Sequence, residues 1–75
     1  MRYWITINES GCGCSLWMGF TPPTLNEDNG GTWECDYFDG TSEVKLDKGE
    51  AVKLVDGPLK NGTITELSIN KILPS

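Results

Sequence analysis

Apolar and polar residues alternate along this chain in short runs, and clusters of Gly, Pro, Asn and Asp separate the runs. Alternation of this kind puts every second side chain on one face of an extended segment and so predicts half-buried strands. The pattern predicts strands at 2–8, 16–20, 32–38, 43–46, 51–55 and 63–70. Turn residues fall between them at 11–13, 21–23, 28–31, 39–41, 47–49, 56–58 and 61–62. Short strands at near-regular spacing predict an all-β fold: a small antiparallel barrel or sandwich of five to six strands. No stretch shows a helical period, although Ile64, Leu67, Ile69 and Ile72 break strict alternation and predict a bulge or one helical turn near the end.

Side-chain parity sorts each strand into two faces. Tyr3, Ile5 and Ile7 share one face and oppose Trp4 and Thr6; Leu16, Met18 and Phe20 oppose Trp17. Trp33, Cys35 and Tyr37 oppose Glu34, Asp36 and Phe38. Assigning the more polar faces to the outside places Trp4, Trp17 and Phe38 on the surface. Large aromatics there would form an apolar patch of the sort that meets a partner. The alternative is that the linker 21–31 folds over them and completes a second small core.

Length and charge narrow the picture. Seventy-five residues predict one domain spanning the whole chain, 1–75. A domain of this size buries only about 60 % of its unfolded surface, so partners, metals or disulfides commonly supplement the core. No apolar run approaches the roughly 18 residues of a membrane helix, and no secretory signal is visible, which predicts a cytoplasmic protein. The net charge is −5 and unevenly placed. Arg2 faces six acids in residues 1–40 (Glu9, Glu27, Asp28, Glu34, Asp36 and Asp39), whereas residues 41–75 balance five lysines with five acids. That excess disfavours phosphate backbones, hence nucleic acid, and favours a basic protein surface or a divalent cation. A solvated, solubilising loop is the plainer account of it.

Three cysteines and no histidine limit the chemistry. Cys12, Cys14 and Cys35 predict reduced thiols packed as small apolar groups. Pairing of Cys35 with Cys12 or Cys14 would need an oxidising compartment, and a Cys12–Cys14 bridge would be strained. Three thiolates fall one short of a tetrahedral zinc site, and Glu34, Asp36 or a second subunit would have to supply the fourth ligand. Asp28, Asp36 and Asp39 are the candidate oxygen ligands, but 26–30 lacks the spacing of a calcium loop. No cofactor is expected.

Residues 49–67 form the most informative run. Gly49-Glu50 opens it, Val52 and Leu54 alternate, Gly57-Pro58-Leu59-Lys60 turns, and Gly62, Ile64 and Leu67 continue. A strand, a Gly/Pro turn and a second strand are predicted. The run resembles the KOW motif of Src-homology-3-like barrels in transcription elongation factors and ribosomal proteins. The resemblance implies a five-stranded barrel that docks RNA or protein; it covers about a quarter of the chain. The stretch between Gly57 and Gly62 is shorter than the motif's, and the chain is acidic where the family is basic.

The sequence thus predicts a non-enzymatic protein-interaction module. Its contact residues would be Trp4, Trp17 and Phe38 with Glu27, Asp28, Glu34, Asp36 and Asp39, set against a basic or apolar partner or a second copy of the chain. A small acidic domain of this kind fits an accessory factor of a phage or mobile element. The alternatives are a small metal-binding domain using Cys12, Cys14 and Cys35 or the acids, and a KOW-like domain associated with ribonucleoprotein. Paired carboxylates such as Glu34 and Asp36, or Asp36 and Asp39, would need a cleft to act as acid and base, and so small a domain rarely builds one.

Overall fold

A computed structural model of the protein describes residues 2–35, 40–55 and 57–67. Among these residues the chain is mostly β, with four strands in one antiparallel sheet, a separate two-stranded hairpin and one short helix. Strand β1 (Arg2–Ile7) pairs with β2 (Cys14–Gly19), and the excursion that follows holds β3 (Thr24–Asn26), a 3-10 turn (Glu27–Asn29) and β4 (Thr32–Glu34). The chain then returns as β5 (Ser42–Leu46), helix α1 (Lys48–Val55) and β6 (Ile64–Leu67). The sheet order is β5-β2-β1-β6, and among the described residues β5 and β6 are its outer strands and do not pair with each other, so no closed barrel forms there.

The register explains the core. Ile5 lies opposite Leu16, Ile7 opposite Cys14, Cys14 opposite Leu46, and Tyr3 opposite Leu67. These residues share one face of the sheet, where Ile5, Ile7, Cys14 and Leu67 are buried with Ala51 of α1. Leu54 and Val55 of the helix pack against the same cluster.

Residues 51–55 are therefore helical, which corrects the strand and hairpin read from the alternation of Val52 and Leu54. Ala51, Leu54 and Val55 stand at the i, i+3, i+4 spacing of a helix face, and Val52 points outward at 38 % exposure. The start is fixed locally: the Asp47 N–H donates to Glu50 Oε1 at 3.3 Å, and the Ala51 N–H donates to the Asp47 carbonyl at 3.1 Å. That is one arm of a capping box built on Asp47-x-x-Glu50. Two turns of helix are too few to display a period, so the cap and not the pattern was the usable signal. The part of the KOW-like run that should form its first strand is this helix.

The opposite face carries Trp4, Thr6, Ser15 and Trp17, with Trp4 directly across from Trp17. It is covered too. Trp4 is 3 % and Trp17 1 % exposed, and Thr6 and Ser15 are buried with them. A Cβ at Gly19, on this same face, would lie 2.6 Å from Thr41 Oγ1, so the excursion between β2 and β5 closes against the tryptophan side where it returns to the sheet. Phe20, expected to share the face of Leu16 and Met18, lies past the end of β2 and is 64 % exposed.

Candidate interaction surface

The assignment of Trp4 and Trp17 to a surface patch is corrected by their burial. Parity had placed them properly, on the face opposite Ile5 and Leu16, but polar neighbours did not make that face an outer one. The Trp17 Nε1–H donates to Thr6 Oγ1 at 2.8 Å, and the Ser15 hydroxyl donates to a Glu43 carboxylate oxygen at 2.6 Å. A buried hydroxyl costs little once it is hydrogen-bonded, so Thr6 and Ser15 join an inner layer. Arg2 closes one end of that layer. Its guanidinium lies 4.9 Å from the Trp4 ring centroid and donates two 2.9 Å bonds to Glu66. The same contact holds the Glu66 carboxyl below its ordinary range and raises the Arg2 guanidinium, chiefly through the hydrogen bonds.

The acidic residues have a different fate. Glu27, Asp28 and Glu34 are all exposed and all belong to the β3–β4 hairpin, two on its connecting 3-10 turn and one on β4. With Thr24, Leu25 and Asn26 they line one shallow, open depression. Asn26 sets the shape: its Oδ1 accepts from the Asp28 N–H at 3.1 Å, and its carbonyl accepts from the Gly31 N–H at 3.1 Å. The Glu34 carboxylate accepts from Asn26 Nδ2 at 3.0 Å and from Asn29 Nδ2 at 3.3 Å. Neutral amides thus hold it in place, and among the described residues no cation compensates its charge. The ion pairs among the described residues involve Arg2 with Glu66 and Lys45 with Glu43, and none reaches the hairpin.

The hairpin is joined to the sheet at one corner. The Trp33 indole N–H donates to the Ile7 carbonyl at 2.9 Å, and the Glu9 N–H donates to the Gly31 carbonyl at 3.0 Å. Gly31 has φ +73°, and a Cβ there would stand 2.7 Å from Glu9 Cβ. Only glycine fits both the backbone twist and the close approach. Sequence reasoning missed Trp33 in this role because its parity with Cys35 gave no hint that the indole reaches another strand.

The cysteines do not converge. Cys14 is buried in the helix-side core, Cys12 is exposed with its thiol 3.9 Å from the Ser10 carbonyl, and Cys35 is half-buried with its thiol 3.7 Å from the Thr21 carbonyl. No disulfide joins any two of them, and among the described residues no group of three Cys, Asp or Glu side chains is placed to hold a metal ion. Asp36, Phe38 and Asp39, also expected at the contact surface, lie outside the described residues, as do the positions beyond Leu67 where a bulge or helical turn was expected. Among the described residues no helix is long and apolar enough to cross a membrane. Comparison with protein-family models, curated proteins and solved structures finds no match to this chain.

Proposed function

We propose that the protein is a non-enzymatic binding module that offers its acidic β3–β4 hairpin to a basic surface on another protein. One observation carries this reading: Glu27, Asp28 and Glu34 are exposed on a single hairpin, and no described cation pairs with any of them. Carboxylates left uncompensated on one side of a small domain set up a local negative potential, which steers and orients a cationic partner. The open shape of the depression suits a contact surface better than acid–base chemistry, which needs an enclosed site to shift its carboxyl groups.

Removing the charge while keeping the shape tests the reading. The triple variant Glu27→Gln, Asp28→Asn, Glu34→Gln is compared with Glu43→Gln, Glu66→Gln for binding of a short oligolysine peptide, at low and physiological salt. Exposed charges contribute about 0.2–1 kcal/mol each, so the triple variant should bind about tenfold more weakly and lose most of its salt dependence. The double variant should bind nearly as well as the parent. Equal loss in both, or no loss in the triple variant, would overturn the assignment to the hairpin.

A further inference from the structure

The chain contains two Asn-Gly dipeptides, Asn29-Gly30 and Asn61-Gly62, and the fold treats them differently. Asn-Gly is the dipeptide in which a backbone nitrogen most readily reaches the preceding side chain, because glycine has no Cβ to obstruct the approach. From this contrast we infer that Asn29 is a self-modifying position, which converts to aspartate and isoaspartate in the folded protein while Asn61 is protected.

The reaction needs only water and hydroxide. The Gly30 backbone nitrogen loses its proton and attacks Asn29 Cγ. A C–N bond forms, the side-chain amide leaves as ammonia carrying that proton, and a five-membered succinimide results. Water then opens the ring at either carbonyl, leaving aspartate or isoaspartate at that position.

At Asn29 little opposes this. The residue is exposed and ends a single 3-10 turn, whose hydrogen bonds have poorer geometry than those of an α-helix. A Cβ built on Gly30 would meet no atom within 4 Å, so no other element crowds the backbone on that side of Gly30. The Asn29 amide is held by long, exposed bonds to Thr32 Oγ1 at 3.4 Å and Glu34 Oε1 at 3.3 Å.

At Asn61 the attacking nitrogen is held. The Gly62 N–H donates to the Ile7 carbonyl at 3.0 Å and to the Asn8 carbonyl at 3.2 Å, and the Ile7 N–H donates to the Thr63 carbonyl at 3.0 Å. The Asn61 side chain lies against Gly11, where a Cβ would fall 2.8 Å from its Oδ1. Bringing the Gly62 nitrogen onto Asn61 Cγ would break the junction between β1 and the approach to β6. Conversion at Asn29 breaks nothing comparable, but it puts a carboxylate where an amide had donated to Glu34. A favourable contact becomes a repulsive one, and the hairpin gains a charge.

The test is a time course of the intact protein at mildly alkaline pH, read by peptide mapping and by enzymatic methylation of isoaspartate. A parallel sample in denaturant sets the intrinsic rate at each Asn-Gly. In the folded protein, conversion at Asn29 should stay within about threefold of its denatured rate, whereas Asn61, held by two backbone bonds, should slow by at least about tenfold. Asn29→Gln should abolish the early mass gain without unfolding the protein, as circular dichroism would show. Equal protection of the two sites, or faster conversion at Asn61, would overturn the inference.

Discussion

Replacing Trp17 by phenylalanine separates an inner tryptophan layer from a surface patch. Trp17 is 1 % exposed and its indole N–H donates to Thr6 Oγ1 at 2.8 Å, with Thr6 itself 1 % exposed. The substitution deletes the donor and leaves a buried acceptor short of a partner, at a cost of about 1–3 kcal/mol. The smaller ring gives up further packing, about 1–2 kcal/mol, because the surroundings collapse only in part. The sum is about 2–5 kcal/mol, against the roughly 4–11 kcal/mol that 75 residues typically supply. Urea unfolding followed by far-UV circular dichroism measures it. A thermal scan should show a midpoint at least about 8 °C lower, at about 4–8 °C per kcal/mol for a domain of this size. Thr6→Val closes a double-mutant cycle. Once Trp17 is phenylalanine, losing the hydroxyl should cost less by about 1 kcal/mol, since the two groups form one bond. A Trp17→Phe loss below about 0.5 kcal/mol would refute burial of the indole, because that is the range of exposed positions. Zero coupling in the cycle would refute the hydrogen bond.

Three further outcomes follow from the geometry. Glu50→Ala should lower stability by about 0.5–1 kcal/mol and reduce helical ellipticity, because it removes the acceptor for the Asp47 N–H and a favourable charge in the first turn of α1; an unchanged or higher melting point would contradict the cap. Gly31→Ala should cost about 1–3 kcal/mol, and Gly30→Ala about 1 kcal/mol or less. Both have positive φ, but only Gly31 meets Glu9, so equal losses by chemical denaturation would contradict the corner contact. Glu66 has a carboxyl held below its ordinary value of 4.5. Its contribution is therefore present above the unfolded value and is lost as pH falls through the lower folded value. Arg2→Ala should flatten the stability–pH curve in that acid window at low salt, and an unchanged slope would contradict the pair; the exposed setting makes the effect small.

Strands β1 and β2 were legible because one face of each is apolar throughout. Tyr3, Ile5 and Ile7, and likewise Leu16 and Met18, fall on the core face that parity assigns them. Edges were less clear: β2 begins at Cys14, since a cysteine flanked by glycine and serine carries little strand signal. Strand β3 was hidden in a stretch read as linker, where Pro22 and Pro23 mark a turn and only Leu25 is apolar. Helix α1 was hidden because Val52 and Leu54 mimic alternation across two turns. The tryptophan face misled for a different reason. Polarity of a face predicts exposure only when its polar groups lack partners, and Thr6 and Ser15 find theirs in Trp17 and Glu43. Of the contact residues expected from sequence, the structure gathers Glu27, Asp28 and Glu34 on one hairpin and removes Trp4 and Trp17 to the interior. Charge was readable because carboxylates without a nearby Lys or Arg stay at the surface; the corner that holds the hairpin, through Trp33 and Gly31, depends on tertiary contacts that no local pattern records.

Photo-crosslinking in the cell that makes the protein asks whether the hairpin is its contact surface. A photoreactive residue replaces Asn29 on the hairpin or, as the comparison, Val52 on the outer side of α1. If the hairpin is the contact surface, position 29 gives a discrete adduct with a protein whose crosslinked face is basic, lost when Glu27, Asp28 and Glu34 are neutralised and absent from position 52. Adducts from position 52 alone, or adducts at 29 that survive neutralisation of the three acids, would contradict it.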